Sequence, residues 1–442
     1  MNIPMKKTGL AALAGTAVLA IASPAFAQDA GVSAETQYIL NSFSFLFSGA
    51  LVMWMAAGFA MLESGLVRTK NVSTILLKNI SLFAVAGIMY YLIGYNLMYM
   101  DVTGWIGSIS LWSADDAAAL AGDFSGGYSA TSDWFFQMVF VATAASIVSG
   151  TVAERIKLWP FMIFVVVLTG VLYPITGSWT WGGGWLAEMG FADFAGSTIV
   201  HSVGGWAALT GAIILGARKG KYGADGSVHP MPGSNLPLAT LGTFVLWLGW
   251  FGFNGGSQLA MGTGADVIAI ANIYGNTSMA AAGGVVAAAI LTQILCKKVD
   301  VTMALNRALA GLVSITAGPD TPTIGSAIII GAIGGVLVVV AVPLLDKLKI
   351  DDVVGAVSVH LVAGIWGTLA VPFTNDGASF GVQLTGIVAM GAFTIVASSI
   401  VWLILKFTVG IRLSEEDEAM GSDAAELGLE AYPEFGKGSQ RF

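Results

Sequence analysis

Eleven predominantly apolar runs divide almost the whole chain, near residues 39–64, 74–98, 132–150, 158–178, 197–217, 238–257, 269–295, 303–317, 323–345, 353–372 and 382–410. A helix crossing the hydrocarbon of a bilayer needs roughly 20 such residues. The eighth run is short and opens near polar Asn306 and Arg307. A water-soluble alternative fails on charge. Only 10% of residues are charged and 56% are hydrophobic, whereas soluble domains carry about 25% charged residues. Such a chain lacks the polar surface to cover a core in water, so the reading is an all-α, polytopic membrane protein.

Residues 1–27 form a separate unit. Lys6 and Lys7 precede an apolar stretch over Gly9 to Ala22, and Ala25-Phe26-Ala27 forms an A-x-A cleavage site before Gln28 and Asp29. That order predicts a secretory signal peptide, with the mature N-terminus outside the cytoplasm. The loops give an independent test, because cytoplasmic loops gather Lys and Arg. Connections after odd-numbered runs carry Arg68, Lys70, Arg155, Lys157, Arg218, Lys219, Lys221, Lys297, Lys298, Lys347 and Lys349, and Arg412, Lys437 and Arg441 follow the eleventh. Connections after even-numbered runs carry Asp101, Asp115, Asp116, Asp123, Glu188, Asp193, Asp266, Asp320 and Asp376, with no Lys or Arg. The pattern never flips along the chain, which predicts eleven spans, N-out and C-in.

Two segments echo each other. Val200-His201-Ser202-Val203-Gly204-Gly205-Trp206 lies in the fifth run and Val359-His360-Leu361-Val362-Ala363-Gly364, with Trp366, in the tenth. An aspartate stands eight residues before each histidine, Asp193 and Asp352. Five spans separate the units, so they run in opposite directions, as in an inverted repeat whose substrate path lies at the repeat interface. The expected organisation is a membrane domain over 28–410, with repeat one at about 38–217, repeat two at about 238–372 and an eleventh helix at about 382–410. A cytoplasmic tail over 411–442 follows. Glycine, at 57 residues, recurs inside the runs and lets helices approach closely in lipid.

Of only three histidines, His201 and His360 fall inside spans, and His229 lies beside Pro230 in a loop. An ionisable residue within a span marks a functional site by default; a hydrogen-bonded tie between helices is the structural alternative. A histidine in an apolar channel is held neutral because burial disfavours charge. It then offers one donor and one acceptor. Two such rings in contact form a polar rail for a small nitrogenous solute. A metal site usually needs three or four ligands, and no Cys, Glu or further His lies near these positions in sequence. The single cysteine, Cys296, excludes an intrachain disulfide, and the acidic balance of −8 points to no nucleic-acid partner.

From about residue 38 to 435 the chain resembles the ammonium transporter (Amt/Mep/Rh) family, bacterial Amt type. The resemblance rests on Asp193-Phe194-Ala195-Gly196-Ser197 before Val200-His201, and on Gly249-Trp250-Phe251-Gly252-Phe253-Asn254 before Gly256-Ser257. It rests also on Gly150-Thr151-Val152-Ala153-Glu154-Arg155, Trp181-Gly182-Gly183-Gly184, Asn306 to Ala317 and Val359-His360. It implies that Trp181, Ser257 and Phe140 recruit the cation outside, that Phe140 and Phe253 gate the vestibule, and that His201 and His360 line the pore. It makes Asp193 an organising buried carboxylate, places Thr316 on the vestibule wall, and leaves Asp352 as its weaker counterpart at the cytoplasmic end, or a helix cap. The sequence departs from the family at Glu63, expected to pair with Arg68 or Lys70, and at Leu427, where a histidine is common.

The resemblance implies recruitment of ammonium, its deprotonation, and passage of ammonia, with or without the proton, into the cytoplasm across the inner membrane. It also implies a homotrimer and a PII-type regulatory protein at the cytoplasmic face, and no cofactor. Two rivals stand beside that reading: an ammonium sensor with little transport, and a neutral ammonia channel of the Rh type. An enzyme is not expected, since no nucleophile–base set or phosphate-binding glycine loop with a lysine occurs.

Overall fold

The computed structural model describes residues 32–434; the expected signal peptide, Lys437 and Arg441 lie outside them. The apolar runs fold as helices in the expected order. Among the described residues nine are long and apolar enough to cross a membrane: α1 (Ala34–Leu66), α2 (Thr69–Tyr99), α3 (Ala130–Thr151), α4 (Leu158–Ser178), α5 (Ser197–Leu215), α6 (Leu236–Gly256), α7 (Gly264–Cys296), α9 (Ile324–Lys347) and α11 (Phe380–Thr408). The shorter α8 (Val301–Ile315) and α10 (Val357–Phe373) take the eighth and tenth places. Among the described residues no strand forms, only isolated bridges between Ile156 and Arg412 and between Tyr222 and Val228.

Two helices outrun their apolar segments because polar caps satisfy the free N–H groups at their starts. Ser33 accepts from the Thr36 amide ahead of α1. Thr263 and Asp266 form a reciprocal capping box on α7, so Asp266, expected in a loop, sits in that helix's first turn.

Helix α1 packs along α6, α3 against α1 and α5, and α8 and α9 against α7, while α5 crosses α10 in the interior. Close approach at that crossing requires glycine: a Cβ on Gly205 would stand 2.7 Å from the Leu361 Cβ. Both crossing helices begin in a wide, π-helical turn, Ser197–Ser202 in α5 and Val357–Val362 in α10. Each turn contains a histidine.

One end of the bundle gathers the loops after α1, α3, α5 and α9. Glu154 lies 2.5 Å from Arg68 and 3.2 Å from Arg218, and Arg218 lies 2.8 Å from Asp351. Burial would push the Asp351 carboxyl up, but the hydrogen bonds and charge of Arg218, with Arg155, hold it at about 2. The tail lies across this end. Asp423 accepts from the Ser73 and Thr74 amides at the start of α2, and Glu426 from the Leu158 amide at the start of α4. Lys70 donates to the Glu418 and Ala419 carbonyls. Acidic tail residues thus cap helix N-termini, where negative charge is stabilising.

Candidate functional site

At the other end a cavity of about 410 Å³ opens between α2, α3, α6 and the loops around them, with Phe140, Trp181, Phe194 and Ser257 in its wall. Trp181 is fixed by its Nε1, which donates to the Asp193 carbonyl at 3.0 Å. Its ring meets Phe140 edge-on, with centroids 5.9 Å apart. The Ser257 hydroxyl donates to the Phe253 carbonyl at 2.8 Å, so its lone pairs remain free for a donor. An indole face and an acceptor oxygen on one cavity suit a small cation that carries N–H groups.

Beneath the cavity the rings form a continuous series. Phe140 and Phe253 pack with centroids 4.1 Å apart and their planes tilted by 33°. Phe253 stacks 5.3 Å from His201, and Trp250 stacks on that ring at 5.0 Å. The Nδ1 atoms of His201 and His360 stand 3.2 Å apart, within reach of a hydrogen bond in which one ring donates and the other accepts. Both are buried, at 0% and 2% exposure, and His201 Nε2 has no partner. Past His360 lie a small enclosed pocket and then an inner cavity of about 440 Å³, whose wall includes Arg218, Asp300, Asn306 and Asp352.

The two aspartates act alike in detail. Asp193 Oδ2 accepts from the amides of Thr198 and Ile199 at 2.9 and 2.8 Å. Asp352 Oδ2 accepts from those of Val357 and Ser358 at 2.9 and 3.2 Å. Each carboxylate therefore anchors the turn that presents a histidine. Burial pushes both up to about 6, while backbone N–H donors at Asp193, and the Thr151 hydroxyl with backbone N–H donors at Asp352, pull the other way. Between each aspartate and its turn stands a left-handed glycine, Gly196 (φ 103°) or Gly355 (φ 81°). The full signature is D-x-x-G followed by the histidine. The glycine was legible in both segments, and only its conformational role needed the structure.

Three expectations need revision or addition. Thr316 does not line the vestibule: it is buried, and its Oγ1 accepts from Trp250 Nε1 at 2.9 Å. It reaches the site through the ring that backs His201. Glu63 does not pair with Arg68 or Lys70, because Glu154 takes the first and tail carbonyls take the second. Asp133, within the third apolar run, faces the outer cavity together with Tyr95, whose hydroxyl donates to it. A lone carboxylate at the start of a span was the available signal for it.

The sequence model of the Ammonium Transporter Family matches residues 43–432. The chain is 40% identical to ammonium transporter Amt2 of Archaeoglobus fulgidus over 88% of this chain and 87% of that one. This chain belongs to the Ammonium Transporter Family. It is 33% identical to the ammonium transporter of Bacillus subtilis, covering 88% of this chain and 97% of that protein. Among solved structures it resembles one described as Sensor Amt Protein, with a TM-score of 0.82 and 36% identity over 88% of this chain and 99% of that one. Candida albicans Mep2 is also similar, with a TM-score of 0.78 and 27% identity over 91% and 93%. As a member of the Ammonium Transporter Family, the chain is a multi-span helical membrane protein and not an enzyme.

Proposed function

We propose that this chain takes up ammonium from outside the cell across the inner membrane through the path between its two cavities. It spans the bilayer eleven times, N-out and C-in, as two inverted five-helix repeats and a final helix. Trp181, Ser257 and Phe140 recruit the cation, Phe140 and Phe253 exclude water, and the ammonium loses its proton and passes along the His201–His360 pair as ammonia. The observation that carries this reading is the unbroken series from the outer cavity through two packed phenyl rings to two hydrogen-bonded, buried imidazoles. A homotrimer and a PII-type protein at the end carrying the tail complete the proposal, on family resemblance.

Uptake into proteoliposomes across ammonium concentrations tests the recruitment site. A desolvated cation–π contact stabilises by about 2 kcal/mol, so Trp181→Leu should raise KM by about tenfold or more. Ser257→Ala should raise it less, and both should leave the maximal rate within about twofold. A fall in maximal rate at unchanged KM would remove the recruitment role. Saturable ammonium binding without uptake by the unaltered protein would instead support the sensor reading, which similarity to the Sensor Amt Protein keeps in view.

A further inference from the structure

The enclosed pocket beneath His360 has a volume of about 10 Å³, at the threshold for one water-sized molecule. Phe59, Leu62, Leu309 and Val359 make most of it apolar, and His360 and Glu63 bring titratable groups to its wall. Its other polar side chains are engaged elsewhere: Ser146 donates to the Ala142 carbonyl and Asn306 to the Val354 carbonyl. Glu63 is 1% exposed. Its Oε2 accepts from the Ser149 hydroxyl at 2.8 Å and from Asn79 Nδ2 at 3.2 Å, while its Oε1 has no partner.

The counter-charge is held back from it. Lys78 Nζ donates to the Ser149 carbonyl at 3.0 Å and lies 4.6 Å from the Phe161 ring centroid. Ser149 thus stands between carboxylate and ammonium, touching both. A buried carboxylate without a direct ion pair and with a bare oxygen is costly to keep. Glu63 and His360 line the same pocket.

We propose that Glu63 is a proton-carrying residue of the pathway, linking the histidine pair to the inner cavity. The inference rests on the transport reading above. A protonated His360 ring gives its proton to the Glu63 carboxylate, which leaves a neutral imidazole and a carboxylic acid. Ammonia entering the pocket then takes that proton on its lone pair, so an N–H bond forms, the carboxyl O–H bond breaks, and ammonium leaves inward. Nothing is oxidised or reduced. Lys78 favours return of Glu63 to its carboxylate form, and each cycle carries one positive charge with each nitrogen. Arg155 and Glu426 act on Lys78 from the inner end.

The test uses the full-length protein in proteoliposomes, with ammonium-evoked current on a solid-supported membrane and ammonia entry followed by an internal pH dye. Glu63→Gln keeps the shape and the bond from Ser149 but cannot carry the proton. It should lower the current by about tenfold or more while ammonia entry stays within about twofold. Glu63→Asp should keep a measurable current. Because Glu63→Gln removes the carboxylate charge that acts on Lys78, the double variant E63Q/K78Q is measured alongside and should behave as the single one does. An unchanged current in Glu63→Gln overturns the proposal. So does parallel loss of current and ammonia entry in both the single and double variants, which is what a packing role produces. Failure of the unaltered protein to show either signal defeats the transport reading instead.

Discussion

Asp193→Ala is expected to melt earlier and to transport ammonium about a hundredfold more slowly than the unaltered protein. The carboxylate accepts two amide hydrogens at the buried start of α5, and alanine offers no acceptor. A buried donor left unsatisfied costs about 1–3 kcal/mol, so the pair should lower stability by roughly 2–6 kcal/mol. The same turn carries His201, and its loosening disturbs the 3.2 Å contact with His360. Asp193→Asn retains an acceptor oxygen and should recover much of the stability. It removes the negative charge at the head of α5, so transport should recover less. Thermal melting in detergent and ammonium flux read the two effects separately. An alanine variant that melts and transports normally would show that the anchor holds nothing of consequence.

The largest effect on current alone is expected from His201→Leu. Leucine suits the apolar setting beside Trp250 and Phe253, but it removes the only imidazole bonded to His360. Ammonium-driven current should fall by about a hundredfold, while the loss of one buried partner costs about 1–3 kcal/mol. If the rings work as a unit, His360→Leu and the double variant should be no worse than the single one, because effects within a unit do not add. Multiplying losses in the double variant would mean that each histidine acts independently.

The order of the helices, the two histidines and their aspartates were legible in the sequence, because apolar length and an ionisable residue inside a span leave few alternatives. The contacts were not legible in the same way. Thr316 matched a family position, yet its role depends on which way Trp250 points, and linear spacing carries no such information. Glu63 lies close in sequence to Arg68 and Lys70, but α2 brings Asn79 to it and α3 brings Ser149. The acidic tail was legible only as a cytoplasmic segment after the last span. Only the folded chain brings Asp423 and Glu426 to the amides of α2 and α4. Asp133 escaped because a carboxylate at a span's first turn resembles an ordinary helix-start charge.

The most direct measurement is the current evoked by ammonium pulses on proteoliposomes of the unaltered protein, taken across a range of pH together with internal ammonia entry. The account predicts a transient inward positive current that saturates with ammonium and accompanies the entry of ammonia. Ammonia entry without current would contradict it and leave a neutral-gas channel, and binding with neither signal would leave a sensor.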